Sequence, residues 1–148
     1  MTMADAVTIE IRGLDAIVHR LNAGTVQKFA NEALGKSTVA VHTRLSEYTQ
    51  TYPRGTGRVP PYIRTFTLKE SIQFSVTPLG AMGASGEGRI YTALDYAPAV
   101  IGHESQMAIH MGRWWTEQSV AEEMLPTVIG YFSEAMDKAG QEIAGVVI

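Results

Sequence analysis

Residues 25–48 read TVQKFANEALGKSTVAVHTRLSEY, and this stretch decides the fold. Apolar or small residues recur in it at intervals of three and four, which is the spacing of one face of an α-helix. Thr25 is a suitable N-cap, and a helix of about 24 residues would be roughly 36 Å long. Because a small domain does not need so long a helix for its own core, we expect part of the apolar stripe to contact another subunit. The stripe consists of Val26, Phe29, Ala30, Ala33, Leu34, Ser37, Ala40, Val41, Leu45 and Tyr48.

Three segments outside this helix have the pattern of β-strands. Residues 7–11 alternate apolar and polar side chains, which is typical of a strand with one buried face. The same alternation recurs at residues 72–77, and residues 90–94 continue as a third strand. The glycine-rich residues 80–88 between the last two strands predict a flexible hairpin connection.

Three further helices are predicted. Helical spacing of apolar residues predicts a short helix over residues 14–21, and Thr67 with Glu70 is a candidate capping box for one turn of helix. At the C-terminal end, apolar residues at helical spacing predict a helix from about Pro126 to Ala144. The predicted fold is therefore α+β, with a small, mainly antiparallel sheet packed against the long amphipathic helix and the C-terminal helix.

The composition indicates a single domain over residues 1–148. A chain of 148 residues with 45% hydrophobic content can bury one core but is short for two. Cysteine is absent, which excludes disulfides, thiolate zinc sites and cysteine nucleophiles. The chain has no apolar run of about 18 residues and no secretory signal pattern, so we expect a soluble protein made in the cytoplasm.

The charges are distributed unevenly along the chain. No acid occurs between Glu47 and Glu70, and a proline-rich extended loop is expected at about residues 52–64. Residues 117–142 carry six acids against the single base Lys138. Arginine in the loop could pair with carboxylates of a partner protein or with phosphate, or could simply be solvated. The candidate interaction residues of the loop are Tyr52, Arg54, Arg58, Tyr62 and Arg64.

The sequence offers only weak candidates for metal-binding or catalytic residues. His103, Glu104 and His110 are potential ligands for a first-row metal, but they lack the spacing of a known metal motif, and ordinary loop histidines are the favoured interpretation. No G-x-S-x-G nucleophile motif occurs. The sequence therefore predicts no catalytic, cofactor-binding or metal-binding residues, and a small metal-dependent hydrolase is the alternative.

Aromatic residues in the second half of the chain are candidates for a core or an interface. Trp114 and Trp115 place two large rings side by side, and at least one of them must be packed against other groups. Tyr96 follows the third predicted strand and is the third candidate.

The order of these features resembles the tail-completion or head–tail joining family of long-tailed bacteriophages. The resemblance covers roughly residues 25–144. In this family a long helix likewise runs into a proline-rich loop followed by an arginine and a threonine-led short helix, although residues 65–67 here are Thr-Phe-Thr where the family commonly has Thr-Gly. The other similar features are the Asp-Tyr-Ala-Pro segment at residues 95–98, the stretch from His110 to Trp115, and the C-terminal helix.

This resemblance implies a structural virion protein, a minor tail protein without catalytic residues. It implies a homo-oligomeric ring, expected to contain six subunits, in the neck of the virion. The expected partners are the head connector or adaptor and the tail tube or tail terminator proteins, with non-specific contact to passing DNA and no membrane. Assembly would take place in the host cytoplasm. The alternative then becomes a metal-dependent hydrolase of phage or prophage origin.

Overall fold

The computed structural model describes residues 4–11, 23–47, 67–80 and 85–144. These residues form a three-stranded sheet and four helices, which confirms the predicted α+β class. The predicted short helix at 14–21 and the predicted loop at 52–64 lie outside the described residues. The strands are β1 (Ala4–Ile11), β2 (Gln73–Thr77) and β3 (Gly86–Thr92), and the helices are α1 (Ala23–Ser46), α2 (Thr67–Ser71), α3 (Ala97–Ile101) and α4 (Glu117–Ile143).

The sheet is antiparallel throughout, with β3 between β1 and β2. Val7 of β1 and Phe74 of β2 both lie opposite Ile90 of β3, so the three side chains share one face. This is the face that α1 covers, and Ile90 is fully buried there. On the other face Thr8, paired with Arg89, is exposed, so the predicted alternation of β1 is confirmed.

The predicted connection at residues 80–88 is wrong at its C-terminal end, where Gly86 and Gly88 belong to strand β3. The strand begins at Gly86, four residues before the predicted start, and α1 lies very close to the sheet here. A Cβ on Gly88 would lie 2.0 Å from Oγ1 of Thr38 in α1, and one on Gly86 would lie 3.0 Å from Cδ2 of Leu34. These glycines are therefore contact positions beneath a helix, and the sheet accepts them despite their low β propensity.

The long helix α1 has the predicted length of 24 residues but begins at Ala23, so Thr25 lies inside it and is not its N-cap. Most of its apolar stripe is covered by the chain itself, but Ala40 is only partly buried and Tyr48 lies outside the described residues, so the expected contact with another subunit stays a prediction. The C-terminal half packs with the sheet, α3 and Trp114, while the N-terminal half packs against the C-terminal part of α4. Its buried apolar residues are Val26, Phe29, Ala30, Ala33, Leu34, Val41 and Leu45.

The C-terminal helix α4 begins at Glu117, nine residues before the predicted start at Pro126. A capping box begins it: Oγ1 of Thr116 accepts from the Ser119 N–H at 3.2 Å, and Oγ of Ser119 accepts from the Thr116 N–H at 3.1 Å. Proline lacks an N–H, so Pro126 breaks one hydrogen bond inside the helix. Packing against α1 on both sides of Pro126 keeps α4 continuous.

None of the helices in the described ranges combines the length and apolar character that crossing a bilayer requires.

Candidate interaction surface

The five residues of the predicted interaction loop (Tyr52, Arg54, Arg58, Tyr62 and Arg64) lie outside the described residues. The acidic residues 117–142 belong to α4, and much of their charge is already used within the chain. Glu123 binds Arg44, and Glu134 binds Lys138 at 2.7 Å. Glu117 binds His103. Three of the six acids therefore have a basic partner inside the subunit, which leaves less acidic charge for a partner protein.

Arg44 connects the end of α1 to the first half of α4. Its Nε and Nη2 donate to the two carboxylate oxygens of Glu123 at 3.1 and 2.8 Å, and its Nη1 donates to Glu47 at 2.9 Å. These hydrogen bonds raise the pKa of Arg44. The guanidinium also lies over the ring of Trp115, 4.3 Å from its centroid. Because planar guanidinium groups bind carboxylates in a bidentate manner and stack on aromatic rings, this arrangement connects the C-terminal end of α1 to the first half of α4.

The three aromatic candidates have different positions. Trp114 is buried in the core beside α3 and α4, so one ring is packed as predicted. Trp115 is half-buried beneath Arg44. Tyr96, at the N-cap of α3, is exposed and remains available for contact with a partner.

The three potential metal ligands do not form one group, although Nε2 of His103 lies 3.6 Å from Oε1 of Glu104. His103 is paired with Glu117. The His103 backbone N–H donates to Oε2 of Glu117 at 2.8 Å, and the ring Nδ1 is hydrogen-bonded to Oε1. This bond with Glu117 raises the pKa of His103, whereas burial, with a smaller effect from Arg113, lowers the pKa of His110. Among the described residues no group of three or more His, Asp or Glu side chains could hold a metal ion.

An apolar groove lies between β1 and α4, and we call it the β1–α4 groove. Its volume is about 500 Å³, and Val41 of α1 lies within it. Apolar residues of α4 form one wall, and β1, an edge strand of the sheet, forms the other. Leu125 in this wall and Ile129 beside it are each 56% exposed. The remaining apolar wall residues of α4 are Ala121, Met124, Val128, Phe132 and Met136.

A second apolar surface is the loop of residues 105–112, SQMAIHMG, which we call the apolar loop. Met107 and Met111 are 57% and 55% exposed, and Ile109 is also exposed. The loop nevertheless has a fixed base, because the Met107 N–H donates to the Ala99 carbonyl at 2.8 Å and Nε2 of Gln106 donates to the Val100 carbonyl at 2.8 Å.

A third, smaller apolar surface lies at β2, the other edge of the sheet. Every residue of this strand is exposed, including Phe74 and Val76, although its alternation resembles that of β1. Val39 of α1 is exposed as well, and the ring of His42 lies 5.0 Å from that of Phe74. This edge is therefore only partly covered by α1.

Sequence reasoning assigned no role to the apolar loop and assigned the stripe of α4 to the core. A signal was present in the charges: residues 105–112 and 124–133 contain no Asp, Glu, Lys or Arg. An uncharged segment is expected both in a core and in an interface, so only the exposure of its side chains in the structure distinguishes the two. No protein-family model, no curated protein and no solved structure matches this chain.

Proposed function

We propose that this protein is a structural subunit of a bacteriophage tail, part of the ring that completes the tail and joins it to the head connector. The observation that carries the proposal is the β1–α4 groove, which no described residue fills, with Leu125 on its helical wall and Ile129 beside it, each 56% exposed. Contiguous apolar patches of this kind mark interaction sites, since an isolated soluble protein rarely leaves them in water. In an assembled particle, neighbouring subunits cover such a surface.

The rest of the molecule supports an assembly role. The chain buries the stripe of α1 in its own core and leaves apolar residues exposed on α4, on the apolar loop and at β2, so several faces are available for contacts. Contacts between different faces of identical subunits generate rings when the rotation between copies divides a full turn. We propose six copies in the neck of the virion, between the head connector or adaptor and the tail tube or tail terminator proteins. DNA passing through the ring would contact it without sequence specificity.

The alternative, a metal-dependent hydrolase of phage or prophage origin, receives no support from the described residues. His103 is bound by Glu117, and His110 does not join it and Glu104 in one group. No specific observation therefore favours this alternative.

The ring is tested by the native mass of the purified full chain, from light scattering after size-exclusion chromatography and negative-stain images of the same fraction. We expect closed rings with six times the 16.1 kDa mass of the subunit. The double variant Leu125→Glu with Ile129→Glu should be a folded monomer, because charge on this wall prevents its burial. Ile143→Glu is the matched control, since Ile143 is also exposed on α4 but lies outside the groove, the apolar loop and the β2 edge.

A monomeric wild-type chain at all accessible concentrations would contradict a ring that forms without a template. The phage assignment has a separate test: the protein should be recovered, at several copies per particle, from tailed particles released by the source cells. Its absence from such particles would contradict the assignment even if rings form.

A further inference from the structure

We infer that the C-terminal half of α4, residues 127–143, opens away from α1 as a unit, with Pro126 as the hinge. The first half of α4 and the whole of α1 stay folded in the open form. The inference goes beyond the proposed function and does not depend on it, because it concerns the single subunit.

The buried core is divided into two clusters, and α4 contributes to both of them. The larger cluster combines residues of β1, β3, α3 and the C-terminal half of α1, and Val120 is its buried residue from α4. The smaller cluster, within the described residues, combines only α1 and α4, and Ala135 and Ala139 are its buried residues from α4. Between Val120 and Ala135 no residue of α4 is buried. Because the C-terminal half of α4 is held by the smaller cluster alone, it can open without disturbing the larger one.

The polar contacts of α4 with α1 are confined to its first half. The bidentate bond between Glu123 and Arg44 joins that half to α1. In the part of the chain that the structure describes, no hydrogen bond or ion pair joins residues 127–143 to another element, and Lys138 pairs with Glu134 of the same helix. The second half of α4 can therefore separate from α1 without breaking a polar contact between them.

The second half of α4 is also a weak helix by itself. Pro126 has no N–H, so the hydrogen bond to the Glu122 carbonyl is missing, and helices bend at such positions. Gly130 and Gly140 follow, and nothing lies within 4 Å of a Cβ added to either, so close packing does not require glycine there. Each glycine lowers helix stability relative to alanine. Glu142 lies in the last turn, which contains no basic residue, and its charge is unfavourable at the negative end of the helix dipole.

The helix α1 does not depend on the second half of α4 for its position, because it is anchored on its other side. Nε2 of Gln27 donates to the Leu79 carbonyl at 2.7 Å, and Oδ1 of Asn31 accepts from the Leu79 N–H at 2.7 Å. Leu34 is fully buried close to Gly86 of β3. Opening therefore leaves α1 on the sheet and uncovers the side of α1 that belongs to the smaller cluster.

Amide hydrogen exchange of the dilute full-length chain tests the hinge. Residues 131–139 should exchange at least about tenfold faster than residues 34–45 of α1, after correction for intrinsic rates, because they open without global unfolding. Residues 120–124 should exchange as slowly as α1, so that protection changes at Pro126. Equal protection of the two halves of α4 would overturn the inference.

Matched glycine variants separate local opening from global unfolding. Gly130→Ala strengthens the segment that opens and should slow the exchange of residues 131–139 by about fivefold. Gly35→Ala makes the same change in α1, where nothing lies within 4 Å of the added Cβ either, and should leave the exchange of residues 131–139 unchanged, because α1 stays folded in the open form. Equal slowing by the two variants would show that these residues exchange through global unfolding, and the inference would be wrong.

The urea dependence of exchange distinguishes a hinged unit from fraying of the helix end. Opening as a unit gives residues 131–139 one common urea dependence, smaller than that of residues 34–45 because less surface becomes exposed. A gradient of protection that falls steadily from Pro126 to Ile143 would indicate fraying and would also overturn the inference.

Discussion

The two long helices α1 and α4 have similar lengths, and both have apolar residues at helical spacing. The apolar residues of α1 are mostly buried, whereas several of those of α4 are exposed. In α1, 24 residues long, the stripe is buried against the sheet and against α4. In α4, 27 residues long, Val120, Ala135 and Ala139 are buried, while Leu125 and Ile129 face solvent. Periodicity therefore specifies a helix and one of its faces, but not the surface that covers this face.

The largest expected effect is the difference in the free energy of unfolding that is lost when a leucine is truncated in α1 or in α4. Leu34 of α1 is fully buried, so Leu34→Ala should reduce the free energy of unfolding by about 3 kcal/mol. Leu125→Ala should reduce it by less than about 0.5 kcal/mol, because that side chain is largely exposed, and should weaken self-association instead. Urea unfolding measured on dilute protein gives both values. Equal losses in the two variants would contradict the distinction between the helices.

The next effect tests the close approach of α1 to the sheet. Gly88→Ala should lower the free energy of unfolding by about 2 kcal/mol, because the new Cβ would lie 2.0 Å from Oγ1 of Thr38. That hydroxyl is buried and donates to the Leu34 carbonyl at 2.8 Å, so it cannot move away without losing its hydrogen bond. Gly35→Ala is the control within α1. Nothing lies within 4 Å of its added Cβ, and it should stabilise the helix by up to about 1 kcal/mol.

A smaller effect tests the connection between the helices at their polar ends. Arg44→Ala should reduce the free energy of unfolding by about 1 kcal/mol, through loss of the bidentate bond to Glu123 and of the stacking on Trp115. Lys138→Ala removes an exposed i,i+4 pair with Glu134 and should leave the free energy of unfolding nearly unchanged. If both variants unfolded alike, the Arg44 arrangement would be an ordinary surface pair.

The smallest effect is a pH dependence at the start of α4. The bond to Glu117 raises the pKa of His103 in the folded chain, so its stabilising contribution is complete below the unfolded value of about 6.5. It should disappear as the pH rises through the higher folded value. The free energies of unfolding of the wild-type chain and of His103→Gln, measured from about pH 5 to about pH 9, should differ most at the acidic end. A constant difference between them would show that the pair does not titrate as described.

Much of the fold could be predicted because its signals are local. The alternation at Val7 to Ile11 and the periodicity of α1 each require only the nearest neighbours in the sequence, and both are confirmed. The start of α4 was missed because its capping box uses Ser119 at the third position, where glutamate or glutamine is the usual signal, and because Pro126 resembles a first-turn proline.

The candidate interaction surface could not be predicted in the same way, because it depends on which surfaces meet in three dimensions. Gly86 and Gly88 appear in the sequence as a flexible connection, and only the position of Thr38 and Leu34 on α1 explains them as strand residues. The exposure of Leu125 likewise depends on β1 and α4 leaving a groove between them. The predicted loop at residues 52–64 stays a prediction.

The close approach at Gly88 also has a consequence for angular tolerance. The missing side chain allows α1 to lie this close to the sheet, and α4, which forms one wall of the groove, packs against α1. In the proposed ring of six copies, a small change of tilt repeated at every contact would add up around the ring and prevent closure. A single methyl group inside the subunit could therefore change a closed ring into an open spiral.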